Sequence, residues 1–361
     1  MKKIILSLVM VFVLIAAAGC SLKSGDTIKF TSLPQPVYTQ GYEVGKFKDE
    51  VKVSVNGVDF SLNNAPEGVI ISGLDFNNVG SHTLVVVYNS VSVTFDYEVV
   101  AAANTTKVAI AGELEEALKA KAAVIELTDD ITSDEKFEIT YPVVIYGNGN
   151  KISVDGTVDR AVNIYNVDNA KVAFYDLNVE LLSSSTFTRG VNIAECQGLE
   201  LTLDNCSVYN KAYYAINITG SNDSIVVNVK NGSTAGGYCA INWWASNSEL
   251  NVMDSALNGD NIHAYGPSNA FGVVVISSDD DTNGKNNVLN LTNVTLTATS
   301  KHGNNEYIGI IQNFGDGKAN DNVINFNKCT FNLAVINGVY CEEWSVNNAS
   351  SSIVVDGTKV A

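Results

Sequence analysis

From residue 161 onward, apolar and polar positions alternate in a four-residue phrase that keeps returning: small, apolar, polar, apolar. It reads Ala161-Val162-Asn163-Ile164, Gly190-Val191-Asn192-Ile193, Ala215-Ile216-Asn217-Ile218 and Ala240-Ile241-Asn242-Trp243. Looser copies start at Gly272, Gly309 and Gly338, so the phrase recurs at spacings of 25 to 37 residues. Alternation at such a period predicts a solenoid, whose repeats bury their apolar faces by stacking on one another. Each repeat carries a second strand at a regular offset, such as Val172-Ala173-Phe174, Leu250-Asn251-Val252 or Val323-Ile324-Asn325-Phe326. A turn holding Asp176, Asn205, Asn231, Asp254, Asn293 or Asn327 follows, and then a short third strand such as Ser207-Val208 or Thr295-Leu296. Three short strands per turn predict an all-β, right-handed parallel β-helix. Val162, Ile164, Ile241 and Trp243 would point inward. Asn163, Asn192, Asn217 and Asn242 would form an outward column, with Tyr165 and Trp244 beside it. Stacked amides suit such a column, because each donates to one neighbour and accepts from the other.

The segment before the repeats has a different rhythm. Residues 28–100 alternate as half-buried strands at 51–55, 82–88 and 91–99, with Asn-Gly at 56–57 and Asn-Ser at 89–90 between them. This pattern predicts a small β-sandwich. Residues 101–106 read as a small-residue linker, and 112–121 as a short helix with Leu114, Ala117 and Leu118 on one face. A helix there would cover the open end of a solenoid occupying 107–361. At the other end, 352–361 simply stops. Either residues 342–345 fold across it, with Trp344 against Ile353 and Val355, or a second copy covers it.

Lys2-Lys3, the apolar run 4–18 and Ala17-Ala18-Gly19-Cys20 have the layout of a secretory signal over 1–19. The run's end resembles the lipobox of bacterial lipoproteins, with Ala17 where Leu is usual. That resemblance implies lipid attachment at Cys20, followed by a polar tether over 20–27. The run 71–76, then Val79-Gly80-Ser81-His82-Thr83-Leu84 and Val87-Tyr88, resembles the last third of bacterial Ig-like domains and implies a spacer. The helix, the following strands and Gly147-Asn148-Gly149-Asn150-Lys151-Ile152 resemble the opening of pectin-lyase-like β-helix proteins. This resemblance implies the fold over 107–361 and says little of activity, since such folds carry lyases, hydrolases and adhesins alike.

Composition narrows the partners. Net charge is −17, with 39 acids against 22 bases, which argues against nucleic acid. The five cysteines after Cys20 have no metal-ligand spacing and read as column fillers. The amide column offers no carboxylate for acid–base work, which argues against catalysis. Two insertions, 257–270 and 299–307, gather Asp260, His263, Tyr265, Lys301, His302, Glu306 and Tyr307 beside the same face. A base and an acid for β-elimination are available there, the alternative being solvated loops. Asp279, Asp281 and Asn283 fit the first half of a calcium loop, yet its twelfth position is Asn290, so an acidic turn is the plainer reading. Trp244, exposed beside amides, suits stacking on a sugar ring, the alternative being that Trp243 and Trp244 are both core beneath residues 257–270. These features predict a lipid-anchored bacterial surface protein that binds a polysaccharide or host glycan without turning it over. The alternatives are a polysaccharide lyase or glycosidase working beside the two insertions, and a purely structural surface module.

Overall fold

The computed structural model describes residues 26–32, 34, 37–101, 104–183, 185, 187–261, 271–300, 306–314, 316–334 and 342–361. Contacts divide the chain after Val100. In the first unit, Ile28–Ser32, Lys52–Val55 and Val58–Ser61 form an antiparallel sheet. Val37–Thr39, Val91–Val100, Gly80–Tyr88 and Val69–Ser72 form a second sheet, antiparallel apart from its first pair. Asn56 and Gly57 in one hairpin turn, and Asn89 and Ser90 in another, all have positive φ. Such turns match the twist of the strands they join. Both sheets supply one core: Val53 and Val55 from the first, Leu84, Val86, Tyr97 and Val99 from the second. A short helix, Val44–Glu50, adds the buried Phe47. Alternation did not predict this helix, because one buried residue in a single segment leaves no periodicity to read.

The second unit is the parallel β-helix expected from the repeats. Sheet 1 runs from Thr105–Val108 through to Ser352–Val355, sheet 2 from Ile131–Ser133 to Thr330–Ala334, and sheet 3 from Phe137–Ile139 to Glu342–Val346. Sheets 2 and 3 have eight strands each among the described residues, all paired in parallel. Thr105 and Thr106, placed in the linker by the sequence, already pair with Val124 and Ile125. The helix Ala111–Lys119 buries Leu114, Ala117 and Leu118 in the solenoid core. That core is built from columns. Val172, Leu201, Val227, Leu250, Leu289, Ile324 and Ile353 succeed one another in sheet 1, each essentially inaccessible. Burial of each such side chain contributes about 1.5–3 kcal/mol.

Turns obey the same stacking. Asp176, Asn205, Asn231, Asp254 and Asn293, expected in turns, all have positive φ. Asn and Asp tolerate that conformation better than other side-chain-bearing residues. In the next repeat the left-handed residue is Lys328, one place after the expected Asn327. Cys196, Cys206 and Cys239 are buried and serve as fillers.

Two expectations fail in the later repeats. The copies at Gly272 and Gly309 are displaced by one residue: Asn242 pairs with Val275 and Val275 with Ile310. Val274 is therefore an interior residue, while Val275 and Ile310 belong to the outer side, since a one-residue slip reverses every side chain. At the far end, Glu342–Val346 is a regular strand of sheet 3, pairing Gly309 with Trp344, and does not fold across the end. Trp344 takes the interior position that Gly309 leaves thinly filled, its ring 5.0 Å from Phe326 and 5.1 Å from Phe331. After Ser352–Val355 the chain reverses into an antiparallel hairpin with Thr358–Lys359. The copy expected at Gly338 lies outside the described residues.

Candidate functional site

The outer surface of sheet 3 collects most of the candidates. Its register places Glu138, Asn163, Asn192, Asn217 and Asn242 in one column. The amides form a one-way chain. Asn242 Nδ2 donates to Asn217 Oδ1 at 2.6 Å, Asn217 to Asn192 at 2.6 Å, and Asn192 to Asn163 at 2.7 Å. Trp244 Nε1 donates to Asn242 Oδ1 at 3.0 Å at one end, and Asn163 Nδ2 to Glu138 Oε2 at 3.4 Å at the other. All four asparagines are buried, at 0–4% exposure, so their amides are committed to one another. The column expected to hold no carboxylate thus holds one, Glu138, at its end. Glu138 precedes the first copy of the repeated phrase, so only the strand register brings it in.

Trp243 fills the interior at 0% exposure, while Trp244 stays half-buried on the outer side. Its ring stacks on Phe314 at 5.6 Å with an interplanar angle of 14°. Phe314 arrives from the strand two turns on, its N–H bonded to the Ser278 carbonyl. Tyr165, in the same outer row, donates its hydroxyl to Glu195 at 2.8 Å. That bond and the Glu195 charge hold the phenol above its usual range.

The other flank of the face is aromatic and basic. Tyr213 and Tyr214 share a hydroxyl–hydroxyl bond of 2.7 Å, and Tyr213 stacks on Tyr238 at 5.4 Å. Tyr307, Cys239, Val275 and Ile310 complete that buried cluster. Burial pushes the Tyr214 phenol well above its ordinary value, so it stays a neutral donor. Arg160 and Arg189 stand next in the row, in register with each other and with Tyr214. Sequence reasoning missed both arginines, although they are the two that the chain contains.

Of the residues expected beside the two insertions, His263, Tyr265, Lys301 and His302 lie outside the described residues. The insertions are shorter than expected. Leu257 through Asn261 continue a strand of sheet 2 paired to Leu296 through Ser300, because the ladder extends as long as both chains stay in register. Glu306 and Tyr307 are likewise strand residues, and Tyr307 is 7% exposed. The acidic turn closes on itself: Asn283 Nδ2 donates to Asp279 Oδ1 at 2.6 Å, and the Asp279 N–H to Asn283 Oδ1 at 3.2 Å. Lys285 Nζ donates to the Asp281 carbonyl. Thr282, bonded to Asp280 through its hydroxyl and its N–H, holds that carboxyl below its usual range. Among the described residues no group of three or more His, Cys, Asp or Glu side chains is placed to hold a metal ion.

Fold and face together define a parallel β-helix protein whose third sheet presents an amide ladder between two aromatic flanks. Similar solved structures include the Dettilon tailspike protein, at 9% identity and a TM-score of 0.33 over 60% of this chain. The chain spans 45% of that tailspike's length. The A-module of a mannuronan C-5 epimerase from Azotobacter vinelandii matches 64% of the chain and 81% of its own, at 12% identity and a TM-score of 0.29. An alginate lyase from a Paenibacillus species matches 67% of the chain and 99% of its own, at 13% identity and a TM-score of 0.30. No family model matches the chain, and no curated protein matches it by sequence.

Proposed function

We propose that the protein is a lipid-anchored bacterial surface protein whose β-helix binds a glycan on sheet 3 without turning it over. The observation that carries this reading is the fixed setting of Trp244. Its edge is held by the Asn242 amide and its ring by Phe314, so the ring is oriented before any ligand arrives. A preset aromatic surface binds a sugar ring at little entropic cost. Four amides, Asn163 to Asn242, and one carboxylate, Glu138, make up the column, and an amide neither gives nor takes a proton near neutral pH. That supports binding over turnover. The Lys2-Lys3, apolar and Cys20 pattern supports an anchor, and the first unit suits an Ig-like spacer between anchor and solenoid.

A panel of neutral and acidic polysaccharides, assayed by affinity electrophoresis and by product release, tests this. Wild type should be retarded by at least one polymer, and Trp244→Ala should weaken that binding about tenfold, or about 1.4 kcal/mol. Rapid appearance of unsaturated or reducing ends would instead establish the lyase or glycosidase alternative. Retardation by none of the polymers would overturn glycan binding.

A further inference from the structure

The chain has two arginines against twenty lysines, and both stand on one face of one sheet. The parallel register sets Arg160 directly opposite Arg189, so their backbones are about 4.8 Å apart. Cations on neighbouring strands repel, and burial strips away the water that would screen them. Both effects act on Arg189, whose pKa is lowered first by burial and then by the Arg160 charge.

Among the described residues, what surrounds the pair does not neutralise it. Asp159 Oδ2 lies 3.0 Å from Arg160 Nη1, one carboxylate for two cations. Arg189 Nη1 donates to the Phe187 carbonyl, a neutral acceptor. The Nε atoms of both arginines are buried with no hydrogen-bond partner. A buried N–H without an acceptor is costly, and two of them on neighbouring strands leave both guanidinium groups short of acceptors. Lysine would keep the charge but not this geometry, because only the planar guanidinium offers two parallel N–H groups to one oxyanion. Beside the pair stands an exposed ring. Phe187 is 53% exposed and meets Tyr213 edge-to-face at 5.3 Å.

We propose that Arg160 and Arg189 form an oxyanion subsite that takes the carboxylate or sulfate group of an acidic sugar, with Phe187 supporting its ring. The proposal rests on the glycan-binding reading for its biological ligand, and its chemistry can be tested apart from it. The subsite also explains how a chain of net charge −17 could receive an acidic glycan, since the two cations meet the anion at one local point.

Two probes separate the outcomes. Free glucuronate and inorganic sulfate, at increasing concentration and constant ionic strength, should raise the melting temperature of wild type, and glucose should not. Arg189→Gln and Arg160→Gln should abolish that response, and Arg189→Lys should retain part of it. In affinity electrophoresis the same variants should lose binding to a polyuronate or to dextran sulfate at least tenfold, while any binding to a neutral polymer stays at the wild-type level. Preference between the two acidic polymers identifies the anion. Circular dichroism of each variant confirms folding, and Phe187→Ala, which leaves both charges, should weaken polymer binding without removing the response to free anion. An equal response to glucuronate and sulfate in wild type and Arg189→Gln would overturn the subsite. An anion response in wild type without binding to any polymer would leave the subsite standing and remove the glycan.

Discussion

Asn192 donates its Nδ2–H to Asn163 Oδ1 at 2.7 Å, one turn back along the solenoid, and receives the Nδ2–H of Asn217 at 2.6 Å. Asn192 itself is wholly inaccessible. It therefore joins the ladder in both directions, and neither neighbour has water to turn to. Asn192→Ala should leave one donor and one acceptor buried and unpaired, at about 1–3 kcal/mol each. Chemical denaturation should show a loss of several kcal/mol, larger than for Asn325→Ala. Asn325 lies in the half-buried ladder of sheet 1, where it donates to Asn290 and water can take over. Equal losses at the two positions would show that burial does not set the strength of these ladders.

Burial pushes the Cys206 thiol up to about 12 from an ordinary value of 9. Below pH 9 both folded and unfolded chains keep this proton, and its contribution to stability is complete. Above that the unfolded chain ionises first, so stability falls until the native thiol ionises near 12. Cys206→Ala should be less stable at neutral pH, having lost a packed side chain, yet lose stability less steeply between pH 9 and 12. Identical slopes for variant and wild type would mean that other groups account for the alkaline transition. Burial pushes Tyr141 up to about 12 as well, so some slope should remain in the variant.

Trp344 occupies the interior of the last turn of sheet 3, against Phe326 and Phe331 and opposite Gly309. Trp344→Ala should cost about 3 kcal/mol. Hydrogen exchange should speed up first in Glu342–Val346 and Ser352–Val355, because a solenoid loosens from the turn that loses its contacts. Loss of protection spread evenly over all turns would argue against this local role.

The anchor has its own test. If Cys20 carries lipid, Cys20→Ala should move the protein from the membrane to the soluble fraction. Fractionation in which the variant stays with membranes as wild type does would remove the lipoprotein reading.

The amino-acid sequence by itself carried the solenoid. Its small–apolar–polar–apolar phrase encodes strand alternation and stacking at once, and both are local consequences of which side chains avoid water. It also carried the helix over Leu114, Ala117 and Leu118, and the turns at Asp176, Asn205 and Asn231. Each of these depends only on near neighbours in the chain. Register was legible as long as an asparagine marked the outer position. At Gly272 and Gly309 that marker is gone, both sides of the strand are apolar, and pattern matching slipped by one residue. Only tertiary pairing places Val275 and Ile310 outside and Val274 inside. The same applies to the site. Glu138 joins the asparagine column, Arg160 meets Arg189, and Phe314 covers Trp244 because turns separated by 25 residues or more lie one or two strands apart in space. No short window of sequence contains both members of any of these pairs. Stacking between turns decides which of them touch.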